Sequence, residues 1–398
     1  MTTLSVVIPA YNEEKGIAEI AERVLAARAN LASVGVDDLE VLVVDDGSRD
    51  QTAAVAEAIP SVQLVRHAQN RGYGAALKTG FSRARGELIG FLDADGTYPP
   101  EWFPQLCALA IDGADLVIGS RMAGSATKMP ITRRLGNVFF AGLLTAFGHH
   151  RVTDSASGMR VFKREIVDRL YPLPDGLNLT PVMSVRALHE GIRMAEVPIP
   201  YAERVGRSKL SVVRDGSIFL HSILWTALSY NPVRILGALG LLGVGIAVAV
   251  GIGLVAARLT GRTILGSWGV VALYTGMVCG VSGISLFSLG ATLNYLVSLF
   301  HKRPMRQGLF GRPIFKNPLE NSFGWVGVAL LAGGGTIAAV SLALGVQGWS
   351  VERLWLYLLG SAMFLLVGVQ LVISWIVLRV LAELSQREDL ISRDRNAA

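Results

Sequence analysis

The chain reads Gly-Glu-Leu-Ile-Gly-Phe-Leu-Asp-Ala-Asp-Gly-Thr-Tyr-Pro-Pro over Gly86–Pro100. Its apolar part, Leu88–Leu92, is bounded by glycine and is typical of a short strand buried on both faces. This strand runs directly into two carboxylates, Asp93 and Asp95, and then into turn-forming glycine and proline. Because open α/β folds bind ligands at the carboxyl ends of their strands, the stretch predicts an α/β domain with paired acids at one sheet edge.

The paired acids allow two interpretations. Two carboxylates that flank one small residue, Ala94, can share a hard divalent cation, Mg2+ or Mn2+, that also binds phosphate oxygens. The alternative is a solvated turn, because aspartate and glycine are ordinary turn formers. The rest of the chain has to decide between them.

The composition indicates two kinds of structure in one chain. Of 398 residues, 51% are hydrophobic and only 17% are charged. The residues up to about Leu210 have a globular pattern, whereas long apolar runs dominate the remainder. The formal net charge of +6 suits an anionic membrane surface. Nucleic-acid binding is not expected, because the basic residues form no dense stripe with interleaved aromatics.

The first domain is expected to face the cytosol. Two cysteines, Cys107 and Cys279, cannot supply a disulfide framework, which favours a reducing compartment. The first residues also lack the basic start and apolar core of a signal peptide.

The first half of the chain alternates strands with helices. Strand candidates besides the opening one are Leu4–Pro9, Glu40–Val44, Val62–Val65 and Asp115–Ile118, and helices are expected between them, the first over Glu13–Asn30. This spacing predicts a mostly parallel, doubly wound sheet. The loops at the strand ends carry charged residues suited to metal and to phosphate: Asp45, Asp46, Asp93, Asp95 and Arg121.

The second half contains four candidate membrane spans. They cover about Ile235–Ala257, Trp268–Leu299, Gly324–Val346 and Leu354–Val380, each long enough to cross a bilayer. Frequent glycines in them predict close helix packing. The strongly basic His301–Glu320 loop is expected to be cytoplasmic, and an even number of spans returns the tail, 381–398, to the same side.

Two shorter apolar stretches fit helices that lie in the membrane interface. The first, at about 130–147, carries Arg133, Arg134 and Asn137, and the second covers about 211–232. The alternative for both is a buried core helix. We therefore expect a catalytic domain over 1–210, the second interfacial helix over 211–232, a transmembrane domain over 233–380 and a cytosolic tail.

Several side chains at the predicted sheet edge suit a nucleoside diphosphate linked to another group. A cation held by Asp93 and Asp95 would neutralise charge on a leaving diphosphate, and Arg121 could clamp a phosphate. Asp45 or Asp46 could accept hydrogen bonds from a base or ribose. The basic loop Arg204–Lys209 suits an anionic acceptor at the membrane, although simple attraction to lipid headgroups is the alternative.

Five of these segments resemble the motif series of glycosyltransferase family 2: Val6–Glu14, Val43–Ser48, Asn70–Gly74, Asp93–Gly96 and Gly119–Arg121. Two later segments, Asp154–Arg160 and Arg204–Lys209, resemble the polyprenyl-phosphate branch of that family, the branch of the dolichyl-phosphate mannose synthases. Together the motifs span about the first half of the chain.

The resemblance implies a glycosyltransferase-A fold, Rossmann-like with a mostly parallel sheet, followed by an all-α membrane domain with four transmembrane and two interfacial helices. It also implies an inverting transfer of one sugar from a nucleotide sugar, of the GDP-mannose or UDP-glucose type, to polyprenyl or dolichyl phosphate. An acceptor phosphate is already an anionic nucleophile, so no general base is strictly required.

Carried over by position, the resemblance also implies site residues. Those expected to bind the donor are Pro9, Tyr11, Glu13, Asp45, Asp46, Lys78, Asp93, Ala94, Asp95 and Arg121. Those expected to bind the acceptor are Arg133, Ser157, Arg160, Arg204, Arg207 and Lys209. The metal is expected at Asp93, Asp95 and Thr97, and the catalytic set is Asp93, Asp95, Asp154, Arg121 and Arg204, with Asp154 orienting the sugar or the acceptor.

Two positions depart from the branch. Thr97 stands where glutamine is frequent, and its hydroxyl is a shorter and weaker oxygen ligand. Ala156 stands where an amide-bearing residue is common. Either change could shift the donor preference.

Two other functions are alternatives to this one. A processive polysaccharide synthase would carry a Gln-x-x-Arg-Trp motif, which this sequence lacks. A non-catalytic, nucleotide-sugar-binding membrane scaffold has no need for paired acids that repel one another. We therefore expect an integral protein of a bacterial plasma membrane, with a nucleotide sugar, a polyprenyl phosphate and the bilayer as partners and self-association left open.

Overall fold

The computed structural model of this chain describes residues 2–122, 129–147, 151–202, 212–261, 266–301 and 320–397. These residues form two compact units, Met1–Ala227 and Leu228–Ala398.

The first unit is built on a seven-stranded sheet. Its strands are β1 (Thr3–Ala10), β2 (Asp38–Asp45), β3 (Val62–Arg66), β4 (Leu88–Phe91), β5 (Leu116–Ser120), β6 (Arg160–Lys163) and β7 (Met194–Pro198). The spatial order is β3-β2-β1-β4-β6-β5-β7. Strand β6 runs antiparallel to β4 and β5, and the other neighbours pair in parallel. The predicted mostly parallel α/β sheet is confirmed, with β6 and β7 as additions to the predicted strands.

The helices of this unit connect and flank the strands. They are α1 (Ile17–Ala26), α2 (Arg28–Ala32), α3 (Thr52–Glu57), α4 (Tyr73–Arg83), α5 (Phe103–Ile111), α6 (Ile131–Phe147), α7 (Val167–Leu170), α8 (Leu179–His189) and α9 (Val212–Tyr230). The single helix predicted over Glu13–Asn30 is divided between α1 and α2. The break at Ala27 is slight, because its backbone stays near helical values, with φ −69° and ψ −11°.

Apolar side chains cover both faces of the sheet, as a buried parallel sheet requires. Successive strand residues point to opposite faces. In β1, Val6 and Ile8 pack in one core together with residues of α1 and α5. Val7, between them, packs in the other core, with Leu77 of α4 and Met183 of α8.

This topology brings the predicted motifs to one edge. Strands β1, β2, β4 and β5 are mutually parallel or linked through β6, so their carboxyl ends lie on the same side. The antiparallel β6 begins where those strands end, with Arg160 opposite Phe91. The segment before β6 therefore meets the acids that follow β4.

The second unit consists of helices α10 (Pro232–Leu259), α11 (Ser267–His301), α12 (Glu320–Val346) and α13 (Val351–Ala397). Within the described residues, four stretches are long and apolar enough to cross a membrane: Pro232–Leu259, Ser267–Phe300, Ser322–Val346 and Arg353–Leu381. The predicted tail continues α13, since no glycine or proline interrupts its charged, helix-favouring sequence after Leu381.

Glycines allow these helices to approach closely, as predicted. A Cβ on Gly240 of α10 would lie 2.6 Å from the Gly283 carbonyl oxygen of α11. A Cβ on Gly327 of α12 would lie 3.0 Å from the Gly368 carbonyl oxygen of α13. Other glycines, such as Gly245 and Gly333, would meet nothing within 4 Å and so have no such role.

Candidate active site

A cavity of about 480 Å³ opens at the carboxyl edge of the sheet. This volume lies within the range of small-molecule sites. One end of its wall follows β1 and β2, with Pro9, Ala10, Tyr11, Glu13 and Asp46. The middle carries Tyr73, Asp93, Ala94, Asp95, Tyr98 and Arg121. The far end is formed mainly by α6 and α9, with Thr132, Arg133, Gly136, Asn137, Phe140, Asp215, Gly216 and Phe219.

Asp93 is held in place by an aromatic hydroxyl. The Tyr73 hydroxyl donates to Asp93 Oδ1 at 2.7 Å. Burial, and then the Asp93 charge, raise the pKa of Tyr73 well above its ordinary value, so this phenol stays protonated and donates. Gly158 packs against the same carboxylate: a Cβ there would lie 2.5 Å from Asp93 Oδ2. Only glycine allows this approach.

Asp95 is held by the residue predicted as a third metal ligand. The Thr97 hydroxyl donates to Asp95 Oδ1 at 2.6 Å, and the Thr97 amide donates to the same oxygen at 3.1 Å. Thr97 is only 1% exposed and does not belong to the cavity wall. The described geometry therefore gives its hydroxyl the role of orienting Asp95, and metal binding by Thr97 stays a prediction.

Of the two acids at the end of β2, Asp45 and Asp46, only Asp46 belongs to the cavity wall. Asp46 braces the loop just before α4, the helix that begins at Tyr73: its carboxylate accepts the Arg71 amide at 2.9 Å and the Gly72 amide at 2.8 Å. Asp45 is fully buried behind the wall, where it accepts the Ser48 amide at 3.1 Å and lies 3.4 Å from the Arg66 guanidinium.

Arg121, which is partly exposed in the cavity wall, and the fully buried Asp154 form a two-pronged ion pair. The guanidinium donates from Nε at 2.7 Å and from Nη2 at 2.8 Å to the two carboxylate oxygens. Burial raises the pKa of Asp154, but its contacts with Arg121 and the charge of Arg160 together bring it below its ordinary value, so the carboxylate is ionised at neutral pH. The predicted phosphate clamp thus has one edge already engaged, and Asp154 contacts Arg121 rather than the cavity.

Two tyrosine rings stack on the same guanidinium. The Arg121 guanidinium carbon lies 5.7 Å from the Tyr98 ring centre and 5.4 Å from that of Tyr201. Such cation–π contacts fix the orientation of an arginine as well as stabilising it. The Tyr98 hydroxyl also accepts the Gly158 amide at 2.7 Å, which ties this cluster to the segment before β6.

Two residues expected to bind the acceptor are buried outside the cavity wall. Arg160 is fully buried and donates to the Ser155 carbonyl at 2.8 Å and to the Ser184 hydroxyl at 2.9 Å. Burial lowers the pKa of Arg160 to about 10, so it remains charged at neutral pH. The Ser157 hydroxyl donates to the Gly119 carbonyl at 2.6 Å. The structure thus gives both side chains internal contacts that support the cavity.

The remaining predicted residues divide into three groups. Pro9, Tyr11, Glu13, Ala94 and Arg133 belong to the cavity wall. Lys78 does not, and instead contacts the Asp175 carboxylate at 2.6 Å and the Leu173 carbonyl at 2.8 Å. Arg204, Arg207 and Lys209 lie outside the described residues.

Helix α6 has two distinct faces. Arg133, Gly136, Asn137 and Phe140 contribute to the cavity wall. The other face exposes Ile131, Leu135, Val138 and Phe139, each more than half exposed. Helix α9 is similar, since Asp215, Gly216 and Phe219 belong to the wall whereas Val213 and Trp225 are largely exposed. Both predicted interfacial segments are thus helices with an exposed apolar side.

The acids after β4 fit a divalent cation that a substrate helps to hold. No group of three or more His, Cys, Asp or Glu side chains suited to a metal occurs in the described part of the chain. Asp93 and Asp95 supply two hard carboxylates in one cavity wall. Mg2+ is commonly bound by one or two carboxylates together with substrate phosphates, so a two-acid set fits it.

Several wall residues were not expected from the sequence: Tyr73, Tyr98, Thr180, Tyr201 and Asp215. Tyr73 lies within the segment Asn70–Gly74, and Tyr98 lies two residues after the segment Asp93–Gly96. Asn137 had a signal of its own, because it follows Arg133 by four residues in an otherwise apolar helix. Residues at this spacing share one helix face.

Residues 5–171 match glycosyl transferase family 2, and residues 232–392 match a domain of unknown function, DUF8752. The chain is 32% identical over 224 residues to a dolichyl-phosphate hexose transferase of Haloferax volcanii. The aligned region covers 56% of this chain and 92% of that protein. It is 30% identical over 322 residues to an undecaprenyl-phosphate 4-deoxy-4-formamido-L-arabinose transferase of Klebsiella pneumoniae. This aligned region covers 79% of this chain and 94% of that protein.

A solved structure of glucosyl-3-phosphoglycerate synthase from Mycobacterium tuberculosis, in complex with Mn2+, UDP and phosphoglyceric acid, aligns with a TM-score of 0.45 and 23% identity. The aligned region covers 57% of this chain and 78% of the chain in that structure. This likeness is too distant to support an inference about ligands.

The family match and the relatives identify a glycosyltransferase, and the four apolar helices indicate an integral membrane protein. The chain belongs to glycosyltransferase family 2, in its polyprenyl-phosphate branch. The predicted resemblance, the glycosyltransferase-A fold and the enzyme class are confirmed.

Proposed function

We propose that this chain transfers one sugar from a nucleotide sugar, of the GDP-mannose or UDP-glucose type, to a polyprenyl phosphate. The single observation that carries the proposal is the composition of one cavity wall. It combines paired acids after β4, an oriented arginine after β5, and two helices with exposed apolar faces. The first two features suit a nucleoside diphosphate, and the third suits a substrate that is presented from a lipid layer.

The donor would lie along the sheet edge. Pro9, Tyr11 and Glu13 would contact the nucleoside, and Asp46 would hold the loop that positions Tyr73. A divalent cation bound by Asp93 and Asp95 would neutralise charge on the departing diphosphate. Tyr73 and Thr97 keep the two carboxylates in fixed orientations, so little reorganisation is required when that charge develops.

The acceptor would enter at the α6–α9 end. A phosphate oxygen would form a bond to the anomeric carbon of the sugar while the bond from that carbon to the diphosphate oxygen breaks. The electron pair of the broken bond leaves with the nucleoside diphosphate, which gives inversion at the anomeric carbon. Arg133 would hold the acceptor phosphate and Arg121 would face charge on either phosphate group, as arginine does well.

The membrane half would keep the active site at the bilayer surface. We place the sheet unit and the C-terminal end of α13 on the cytoplasmic side of a plasma membrane, because the basic loop between α11 and α12 favours that side. Helices α6 and α9 would lie at the membrane interface, with their exposed apolar residues among the lipids.

The experiment is a donor screen with the purified full-length chain. The chain is supplied with undecaprenyl phosphate, Mg2+ or Mn2+, and a panel of UDP- and GDP-sugars, and organic extracts are analysed for lipid-linked sugar. The proposal expects one sugar per lipid from a single preferred donor. A sugar polymer would indicate a processive synthase, and nucleotide binding without any product would indicate a scaffold.

A further inference from the structure

The cavity wall contains an amide with unmet hydrogen-bonding capacity. Asn137 of α6 is 5% exposed, and it belongs to the cavity wall. Neither its side-chain oxygen nor its nitrogen has a hydrogen-bond partner among the residues that the structure describes. A buried amide without partners is unfavourable, so this side chain is suited to a ligand that enters the cavity.

The chemistry of the amide restricts that ligand. The oxygen accepts hydrogen bonds and the nitrogen donates them, so both are satisfied only by a group that can do both. A phosphate monoester has its second pKa near 6, so at neutral pH it is mostly a dianion that only accepts. It would satisfy the nitrogen and repel the oxygen, and a polyprenyl chain would satisfy neither.

Hydroxyl groups match both atoms at once. A hydroxyl donates one hydrogen bond and accepts others, so two neighbouring hydroxyls of a sugar ring can pair with the two ends of one carboxamide. Arg133 lies one helical turn before Asn137 on the same wall, and a guanidinium is the group that suits a phosphate. The helix thus offers two different chemistries side by side.

We propose that Asn137 binds hydroxyl groups of the transferred sugar and thereby helps to select the donor. The inference rests on the proposed function, because it takes the ligand of the cavity to be a nucleotide sugar. It adds a specificity contact on α6, a helix whose Arg133 is expected to bind the acceptor.

Binding measurements separate this contact from the transfer reaction. The full-length chain, in lipid nanodiscs with Mn2+, is titrated with UDP, GDP, UDP-glucose and GDP-mannose. The gain in affinity due to the sugar is the dissociation constant of the free nucleotide divided by that of the nucleotide sugar with the same nucleotide. In Asn137→Leu, which keeps similar size but has no polar atom, this gain is expected to fall about tenfold or more. The affinity for UDP or GDP itself stays unchanged.

The control is Asn178→Leu. Asn178 lies outside the cavity wall, and its amide already donates to the Ser222 hydroxyl at 2.7 Å. The sugar-dependent gain should therefore be the same in this variant as in the unchanged chain. Asn137→Ser, which keeps one hydroxyl in a smaller side chain, should lose only part of the gain, and it serves as the test if Asn137→Leu does not fold.

Deoxy donors refine the assignment. A UDP-deoxyglucose that lacks the contacted hydroxyl should bind the unchanged chain more weakly than UDP-glucose, while Asn137→Leu should bind both equally. Three results would overturn the inference: an unchanged sugar-dependent gain in both Asn137 variants, an equal loss of UDP or GDP affinity, or a loss confined to undecaprenyl phosphate. If the gain depends on Asn137 but the unchanged chain forms no lipid-linked sugar, the proposed function fails and the sugar contact stands.

Discussion

At the sheet edge, the charged side chains of the cavity wall are already oriented by neighbours, whereas the α6–α9 end contains an amide with no described partner. Tyr73 holds Asp93, Thr97 holds Asp95, and Asp154 holds Arg121. At the other end, Asn137 is buried without a partner in the described chain, and apolar side chains of α6 are exposed beside it. One end is arranged before any substrate arrives, and the other needs a ligand and a lipid surface to satisfy its groups.

This difference has a physical cause in the fold. Side chains at the sheet edge follow buried strands and are constrained by loops that pack on one another, such as the segment of Gly158 against Asp93. Among the described residues, helix α6 is covered on one face only. We call the part of the cavity wall with Asp93, Asp95 and Arg121 the rigid end, and the part formed by α6 and α9 the open end. Under the proposed function, the rigid end binds the diphosphate, where fixed charges lower the barrier most, and the open end admits a lipid.

The largest effect is expected from Asp95→Ala at the rigid end. Loss of one of the two carboxylates proposed to bind the metal should reduce turnover by at least about a hundredfold, because metal charge stabilisation supplies several kcal/mol. Turnover is measured as lipid-linked product per minute, with thermal unfolding as a check on folding. The control is Asp112→Ala, at an exposed acid outside the cavity wall. Near-normal turnover of Asp95→Ala would contradict the proposed role of Asp95 in metal binding.

The next effect is on stability. Asp154→Leu leaves the Arg121 guanidinium buried without its carboxylate, which should cost about 3 kcal/mol of folding stability. The double variant Asp154→Leu/Arg121→Met removes both charges and should recover part of that loss, although not activity. The midpoint of thermal unfolding measures both. If the single and double variants unfold at the same temperature, the pair is not the coupled unit that the geometry indicates.

A smaller effect separates two roles of Thr97. If its hydroxyl only orients Asp95, Thr97→Val should lower turnover about fivefold, and Thr97→Ser should restore it, because one hydrogen bond to a charged group is lost and regained. The concentration of Mn2+ needed for half-maximal rate should change little. A large rise in that concentration, confined to the valine variant, would instead support the predicted metal ligation.

The smallest effect concerns the open end. Phe139 of α6 is 54% exposed, and Phe139→Gln should weaken use of the lipid acceptor by about threefold to fivefold, because it removes part of one proposed apolar contact with the bilayer. The change should appear in the KM for undecaprenyl phosphate and not in the KM for the donor. Ile111→Gln is the matched control: Ile111, on α5, is 48% exposed and outside the cavity wall, and the variant should have no effect.

The sequence indicates the rigid end better than the open one. Strand-to-acid junctions such as Leu92–Asp93 are local patterns, and parallel strands bring them together by topology alone. The partners of those acids depend on packing between distant segments: nothing local shows that Tyr73 would reach Asp93, or that Arg160 would be buried by Ser155 and Ser184. The strand β6 that brings this last segment into place is also not predicted.

In the membrane half, too, the elements can be predicted from the sequence but their contacts cannot. Its four apolar helices follow directly from length and composition, and the continuation of α13 to Ala397 follows from helix-favouring residues beyond the apolar run. Which glycines make close contacts does not follow, because Gly240 and Gly245 are alike in sequence but only Gly240 faces a neighbouring helix backbone.

The most direct test of the central claim compares undecaprenyl phosphate with undecaprenol as acceptors for the same labelled nucleotide sugar. The two lipids share the apolar chain, and only the first carries the anionic nucleophile that the proposed reaction uses. We predict one labelled sugar on undecaprenyl phosphate, with its anomeric configuration inverted relative to that in the donor, and none on undecaprenol. Equal labelling of both lipids, or label that appears only in free sugar or polymer, would contradict the account.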